Sequence, residues 1–247
     1  MKPRQWIVLA GALAWALAAS ACHHSDPDAL WKLVHGQCVP DQREHGKPAP
    51  CAAVAIENGE DQGYVLLKDR NGPYQFLLIP TAKVTGIESP ALLATNAPAY
   101  FAAAWRARDL VERAAQRSLP REDLSLAINS VYGRSQNQLH IHIDCLRPDV
   151  RDALRAHLGE IGEHWAPLDV PLAGHTYRAM RITEAAFEQA NPFALLADPG
   201  DMARHTLVAA GITFEDQTPG LILLDDTADL WRLDPGHGEE LQSTACS

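Results

Sequence analysis

The sequence predicts an α+β fold built on an antiparallel sheet, because strand and helix patterns alternate without the regular repeat of a parallel α/β protein. Two apolar runs, 64–67 and 74–80, flank Asn71-Gly72, a pair that strongly favours a β-hairpin. Residues 97–117 then place apolar side chains at helical spacing. This helix is expected to cover one face of the sheet.

The remaining elements follow from the same patterns. Before the hairpin we expect a tether, a short helix and a loop, at 23–28, 29–34 and 37–50. After the long helix we expect strands at 124–129, 138–145, 176–182, 212–214, 221–224 and 230–233. Further helices are expected at 149–161 after Pro148, at 183–190 with a capped start at Thr183-Glu184, and at 201–210.

The first 22 residues have the layout of a bacterial export signal. Lys2 and Arg4 precede an uncharged apolar stretch, 6–19, and Ala19-Ser20-Ala21-Cys22 then places small residues before a cysteine. The ending resembles a lipoprotein processing box in which Cys22 would be acylated. A soluble secreted form and an uncleaved anchor remain alternatives, and all three predict an exported protein.

The other four cysteines fit an oxidising compartment, because their number is even. Four cysteines allow three pairings. Cys38 and Cys51 bracket a polar loop, which favours pairing them with each other and pairing Cys145 with Cys246. The second bond would tie the C-terminus to the strand at 138–145.

The charge balance limits the possible partners. The chain of 247 residues has a formal net charge of −10 and no basic run beyond its first four residues. Nucleic-acid backbones are bound by a basic footprint, so we expect no nucleic-acid partner. For the same reason, charge alone is not expected to hold the protein on an anionic membrane.

The segment 129–144 contains the most informative chemistry. Alternate residues on a strand share a face, so one face is polar and carries Gln138, His140, His142 and Asp144. The other face is apolar and carries Leu139, Ile141 and Ile143. A neutral imidazole can attack phosphorus, and the turn 133–137 can present backbone N–H groups and the Ser135 hydroxyl to phosphate oxygens.

Residue spacing alone leaves two other interpretations open. A His-x-His pair on a strand also binds zinc in many proteins, here with Asp144 or a distant histidine as the third ligand. The two histidines could equally be surface residues without a chemical role.

The segment resembles the histidine-triad superfamily, whose signature is three histidines at alternate positions after a strand that ends in Asn. The resemblance implies that His140 is the nucleophile of a covalent nucleotidyl intermediate and that His142 is the last histidine of the signature. Gln138 stands where the first histidine would be, which puts a proton-relay role of that position in doubt. Polar residues that would contact ribose or phosphate are Asn129, Ser135, Gln136 and Asn137.

Over a longer stretch, from residue 38 to the C-terminus, the chain resembles the bacterial CDP-diacylglycerol pyrophosphatases. The segments that carry it are 63–69, 71–73, 77–81, 86–90, 126–130 and 145–151. It implies hydrolysis of CDP-diacylglycerol to CMP and phosphatidate without a metal or another cofactor. Alternatives are a histidine-triad hydrolase or transferase for another nucleotide diphosphate, and an exported metal-binding protein that uses His140, His142 and Asp144.

The resemblance also implies a domain organisation and a location. The expected regions are a signal or anchor at 1–22, a tether and cysteine-bracketed loop at 23–60, a histidine-triad-like core at 61–165 and a C-terminal α/β extension at 166–247. The expected location is the periplasmic face of the bacterial inner membrane. Many histidine-triad proteins pair through their sheets, so a homodimer is possible.

Overall fold

The computed structural model describes residues 26–196 and 201–246. The α-helices are α1 (Ala29–Leu33), α2 (Val39–His45), α3 (Tyr100–Arg106), α4 (Asp109–Ala115), α5 (Pro148–Ala156), α6 (Glu184–Phe187) and α7 (Pro192–Leu196). The strands are β1 (Ala53–Ala55), β2 (Tyr64–Lys68), β3 (Phe76–Pro80), β4 (Leu124–Ile128), β5 (Ile141–Leu146), β6 (Ala166–Pro167), β7 (Arg178–Thr183), β8 (His205–Thr213), β9 (Pro219–Thr227) and β10 (Gln242–Ser243). The mixed α+β class is therefore confirmed.

One antiparallel sheet contains all ten strands. Its order is β1-β2-β3-β5-β4-β8-β9-β7-β6, and β10 pairs with β5 beside this path. The strands after residue 166 continue the sheet from β4 through β8. The C-terminal region therefore shares its hydrogen bonding and its core with the earlier strands.

The predicted hairpin is confirmed, with Tyr64 opposite Pro80 and Lys68 opposite Phe76. The single helix expected at 97–117 is instead two helices, α3 and α4. The break occurs because the Ala107 N–H is shared between the carbonyls of Ala103 and Ala104, both at 3.1 Å. Such a shared bond tightens the last turn of a helix and ends it.

Three other segments differ from expectation. The loop expected at 37–50 is helical up to His45 and ends at Gly46 in the left-handed conformation. Residues 205–210, expected in a helix, belong to β8, which is buried on both faces and therefore lacks the period-two pattern of a half-exposed strand. Residues 230–233, expected as a strand, contain a short 3₁₀ turn in which the side chain of Asp229 caps the N–H of Trp231.

The sheet is covered on both faces. On one face, α3, α4, α6 and α7 pack against inward side chains of the central strands. On the other face, α1 and α2 cover β1 to β3, while α5 and the loop that follows it cover β4, β8 and β9. The catalytic candidates lie on this second face, between its two apolar clusters.

Two disulfides join Cys38 to Cys51 and Cys145 to Cys246, with Cα–Cα distances of 5.6 and 5.3 Å. This is the pairing that the sequence favoured. The proposed export signal and Cys22 lie outside the described residues. Within the two described ranges, no helix combines the length and the apolar character that crossing a bilayer requires.

Candidate active site

The alternation of β5 separates the histidines from the core. Ile141 and Ile143 are fully buried in the cluster beneath α3 and α4. His142 points to the opposite face, where it lies between Leu77 of β3 and Ala127 of β4. β5 begins at Ile141, three residues later than expected, so His140 directly precedes the strand. Both histidines are buried rather than open to solvent.

A main-chain carbonyl fixes the orientation of His140. Its Nδ1 lies 2.7 Å from the carbonyl oxygen of Gln138, which can only accept, so Nδ1 carries the proton and Nε2 has a free lone pair. Burial lowers the pKa of His140 below the usual 6.5, more than the bond to Gln138 raises it. The imidazole is therefore neutral at physiological pH, and a neutral imidazole is a nucleophile.

His142 has an acidic partner from the far end of the chain. Its Nε2 lies 3.2 Å from Oε1 of Glu239, and its ring meets that of His140 edge to face at a centroid distance of 4.9 Å. Burial lowers the pKa of His142, so the ring is neutral, and its Nε2 lies beside the carboxylate without the geometry of a hydrogen bond.

Glu239 is held by two further side chains. The amide of Asn129 donates to Oε1 of Glu239 at 2.7 Å, and Nε2 of His237 lies 3.3 Å from the same oxygen. Burial alone would raise the pKa of Glu239, but the hydrogen bonds and the nearby imidazoles lower it to about 2. An ionised carboxylate thus completes the polar cluster.

These residues line a cavity of about 480 Å³. Its walls come from α1, the β2–β3 loop, the turn after β4 and the segment 237–239; the chemically relevant lining residues are Lys68, Asp69, Arg70, Asn71, Asn129, Gly133, Ser135, Gln136, His140, His142, His237 and Glu239. A larger cavity of about 620 Å³ lies beside β7 and contains neither histidine. The smaller cavity is therefore the candidate active site.

Two basic residues line this cavity, Lys68 at the end of β2 and Arg70 in the loop that follows. The ammonium of Lys68 donates to the carbonyls of Asp69 and Gly72 at 2.8 and 3.0 Å and lies 5.7 Å from the ring centre of Phe76. Arg70 lines the same wall. An anionic diphosphate entering the cavity would meet these two positive charges in an otherwise acidic protein.

The predicted phosphate-binding turn is only partly directed at the cavity. Ser135 and Gln136 line it, whereas Asn137 does not, and the Asn137 N–H donates to the Pro27 carbonyl. The side chain of Gln136 bonds to the backbone of Leu30 and Asp26, so it also fastens α1 over the site. The hydroxyl of Ser135 is the group of this turn best suited to a phosphate oxygen.

The side chain of Gln138 lies outside the cavity. Its amide donates to the carbonyls of Pro80 and Ala82 at 2.9 and 2.8 Å, and the residue is fully buried. Gln138 therefore orients His140 through its main-chain carbonyl. Its amide group braces the entry to β5.

Asp144 does not join the two histidines. One of its oxygens accepts from the Cys145 N–H at 2.8 Å, and burial raises its pKa to about 7. Among the described residues, the groups that bring three possible ligand atoms within 4.8 Å of one another include neither His140 nor His142. The geometry thus does not assemble the His140–His142–Asp144 zinc site.

Sequence reasoning missed Lys68, His237 and Glu239. Lys68 followed an apolar strand and had no assigned role. His237 and Glu239 belong to the run His-Gly-Glu-Glu at 237–240, which is the one local signal that could have drawn attention to the tail. Nothing in that run indicates that it packs beside β5.

Comparisons with known proteins identify the family of this chain. Residues 25–247 match the family model described as CDP-diacylglycerol pyrophosphatase. A CDP-diacylglycerol pyrophosphatase of Yersinia pestis is 43% identical over 241 residues, which cover 97% of this chain and 90% of the relative. The chain therefore belongs to the family of CDP-diacylglycerol pyrophosphatases, which are hydrolases.

Proposed function

We propose that this chain hydrolyses CDP-diacylglycerol to CMP and phosphatidate through a covalent nucleotidyl intermediate on His140, by the chemistry of the histidine-triad superfamily. The observation that carries the proposal is the bond between Nδ1 of His140 and the Gln138 carbonyl. That bond leaves the lone pair of Nε2 on a buried, neutral imidazole in a cavity that also contains cations.

The reaction has two displacements at one phosphorus atom. In the first, Nε2 of His140 forms a bond to the cytidine-side phosphorus, and the bond from this phosphorus to the bridging oxygen breaks. Phosphatidate leaves with that oxygen. In the second, water attacks the same phosphorus, the N–P bond breaks, CMP leaves, and the proton of the water passes to solvent.

The surrounding residues position and stabilise these steps. Glu239 holds His142, whose ring contacts that of His140 and restricts its rotation. Lys68, Arg70 and Ser135 are the groups available to the phosphate oxygens. Preformed charges of this kind stabilise negative charge that develops in a transition state.

We also propose that the protein works on the surface of a bilayer, as the expected periplasmic membrane location requires. The turn 230–233 supports this idea, because Trp231 and Leu233 are 99% and 88% exposed. Large apolar side chains exposed together commonly mark a lipid or protein contact. Just beyond the turn, the carbonyl of Gly236 accepts from Ser130 N–H at 3.0 Å, next to the segment that lines the cavity.

The test of the mechanism is the stereochemistry at phosphorus. A CDP-diacylglycerol analogue that is chiral at the cytidine-side phosphorus is hydrolysed by the full-length protein, with His140→Ala as the inactive comparison. Two inversions give net retention, and acid-quenched enzyme carries CMP on His140 in peptide mass spectrometry. Net inversion, or full activity of His140→Ala, contradicts the covalent mechanism.

The substrate is tested separately. CMP release from CDP-diacylglycerol is compared with CMP release from a soluble CDP-alcohol under the same conditions. Preference for the lipid supports the proposed substrate. Cleavage of the soluble compound alone supports the alternative nucleotide hydrolase.

A further inference from the structure

A second cluster of polar side chains lies next to the catalytic cavity but outside it. It consists of His175, Asp226, Asp234 and Glu240. Glu240 directly follows Glu239 in the chain, yet only Glu239 lines the cavity. The hydroxyl of Tyr177 donates to Oε1 of Glu240 at 2.6 Å, which leaves Oε2 directed to the cluster.

The distances in this cluster suit metal ligands better than hydrogen-bonding partners. One possible ligand atom from each of His175, Asp226 and Glu240 lies within 4.8 Å of the other two. Nε2 of His175 is 3.7 Å from Oε2 of Glu240, which is too long for a hydrogen bond. Two atoms that share one cation at about 2.1 Å are separated by roughly 3.4 Å, so only a small contraction is needed.

Asp234 lies beside His175, on the side away from the three possible ligand atoms. Its Oδ2 lies 2.7 Å from Nδ1 of His175, on the side of the ring opposite Nε2. Histidines that bind metals usually have a carboxylate or a carbonyl at their second nitrogen, which fixes the tautomer and the ring orientation. Asp234 lies at hydrogen-bond distance from Nδ1 but not in hydrogen-bond geometry, so it favours Nε2 of His175 as the ligand by its position.

A buried carboxylate oxygen provides an independent indication. Asp226 is only 5% exposed, and its Oδ2 has no hydrogen-bond partner among the described residues. A buried carboxylate without partners is costly unless a charge compensates it. Three carboxylates, from Asp226, Asp234 and Glu240, surround the single imidazole of His175, so the cluster holds more acidic than basic groups and suits a cation.

We propose that His175, Asp226 and Glu240 bind one divalent transition-metal cation of the Zn²⁺ type, with Asp234 orienting His175. An imidazole nitrogen combined with carboxylate oxygens is a ligand set for zinc, whereas Ca²⁺ and Mg²⁺ are bound by oxygen ligands. The proposed reaction does not require this ion, which would touch none of the reacting atoms. It is a structural site.

The cation would fasten the segment that completes the active site. Asp226 belongs to β9, His175 to the turn before β7, and Glu240 to the segment that carries Glu239 and His237. One ion bound to all three would restrict the movement of this segment relative to the sheet. Its effect on catalysis rests on the proposed function, but its binding does not.

The experiment measures binding without any nucleotide. Full-length protein is stripped with chelator, dialysed and titrated with ZnCl₂, while calorimetry gives stoichiometry and thermal unfolding gives Tm. We expect one Zn²⁺ per chain, a Tm raised by several degrees, and no comparable effect of CaCl₂ or MgCl₂.

Variants assign the site. Asp226→Asn and His175→Gln are each expected to weaken Zn²⁺ binding at least tenfold and to abolish the Tm shift, while the exposed Asp169→Asn retains both. If one cluster variant does not fold, the other decides. Unchanged binding in the folded cluster variants, loss of binding in His140→Ala instead, or no Zn²⁺ bound by the parent would overturn the proposal. Activity assays then separate the two proposals, because failure to hydrolyse the lipid leaves the binding result intact.

Discussion

Oε1 of Glu239 lies 3.2 Å from Nε2 of His142, so a carboxylate close to the C-terminus supports a histidine in the centre of the sheet. The same oxygen accepts from Asn129 and contacts His237. Glu239 is thus the residue through which three parts of the site are connected.

Replacing Glu239 by Gln should reduce kcat more than it raises KM. The substitution preserves the size of the side chain but removes the charge that orients His142 and therefore His140. Misplacement of a reacting group by about 1 Å can cost about 100-fold in rate. Steady-state hydrolysis of CDP-diacylglycerol measures the effect, and the exposed Glu44→Gln serves as a matched control. Activity within twofold of the parent would contradict the role of Glu239.

The acid limb of kcat/KM should lie below pH 6.5. In the proposed mechanism the neutral form of His140 is the nucleophile, and burial lowers its pKa from the ordinary value of 6.5. The pH of half-protonation, and with it of half-inactivation, is therefore below that value. A pH–rate profile, accompanied by circular dichroism to show that the fold persists, checks this. A limb centred above pH 6.5 would indicate control by another group, such as His237, whose pKa is raised by its bond to Glu239.

Replacing Trp231 and Leu233 by Ser should weaken binding to lipid vesicles without weakening hydrolysis of substrate in detergent. Burial of one large apolar side chain contributes about 2 kcal/mol, so the double variant is expected to lose at least tenfold in vesicle affinity. Both side chains are exposed, and their loss should leave Tm unchanged. Co-sedimentation with vesicles provides the measurement. The single variant Leu93→Ser, at a residue exposed elsewhere, is the control. Equal vesicle binding of parent and double variant would refute a docking role of the turn.

Loss of the bond between Cys145 and Cys246 should destabilise the protein more than loss of the bond between Cys38 and Cys51. The two bonds close sequence separations of 101 and 13 residues. On the loop-entropy model these correspond to about 5 and about 3 kcal/mol. Denaturant unfolding of Cys145→Ser/Cys246→Ser and Cys38→Ser/Cys51→Ser measures the difference, and the reverse order would disprove it. The first double variant should also lose activity, since the freed tail leads directly to Glu239.

Local sequence patterns correctly predicted the elements that have one polar and one apolar face. The hairpin β2–β3 was found from its Asn-Gly pair, and the two faces of β5 from strict alternation. Residues 205–210 of β8 were mistaken for part of a helix, because both faces of the strand are buried and its residues lack a polar period, whereas its end at 212–213 was expected as a strand. The segment 97–117 is helical as expected, but it forms two helices instead of one. The break at Ala107 arises from a shared hydrogen bond, which the residue types at that position do not predict.

The sequence predicted only those residues of the candidate site that lie close together in the chain. His140, His142, Asn129 and Ser135 lie within one short segment, and a motif can reveal them. Glu239 and His237 reach the cavity only after β8 and β9 have extended the sheet and the chain has returned to β5. Such a contact depends on topology, which single-sequence patterns do not specify. The position of Gln138 was predicted, but the bonds that its amide makes to Pro80 and Ala82 depend on tertiary structure.

The contact between Asn129 and Glu239 also sets a time at which the enzyme can begin to work. The two residues are 110 positions apart, and every strand from β5 to β9 is synthesised between them. A growing chain that has reached β9 already contains His140, the nucleophile of the proposed mechanism, but not yet Glu239. Synthesis must therefore be nearly complete before membrane lipid is at risk of hydrolysis.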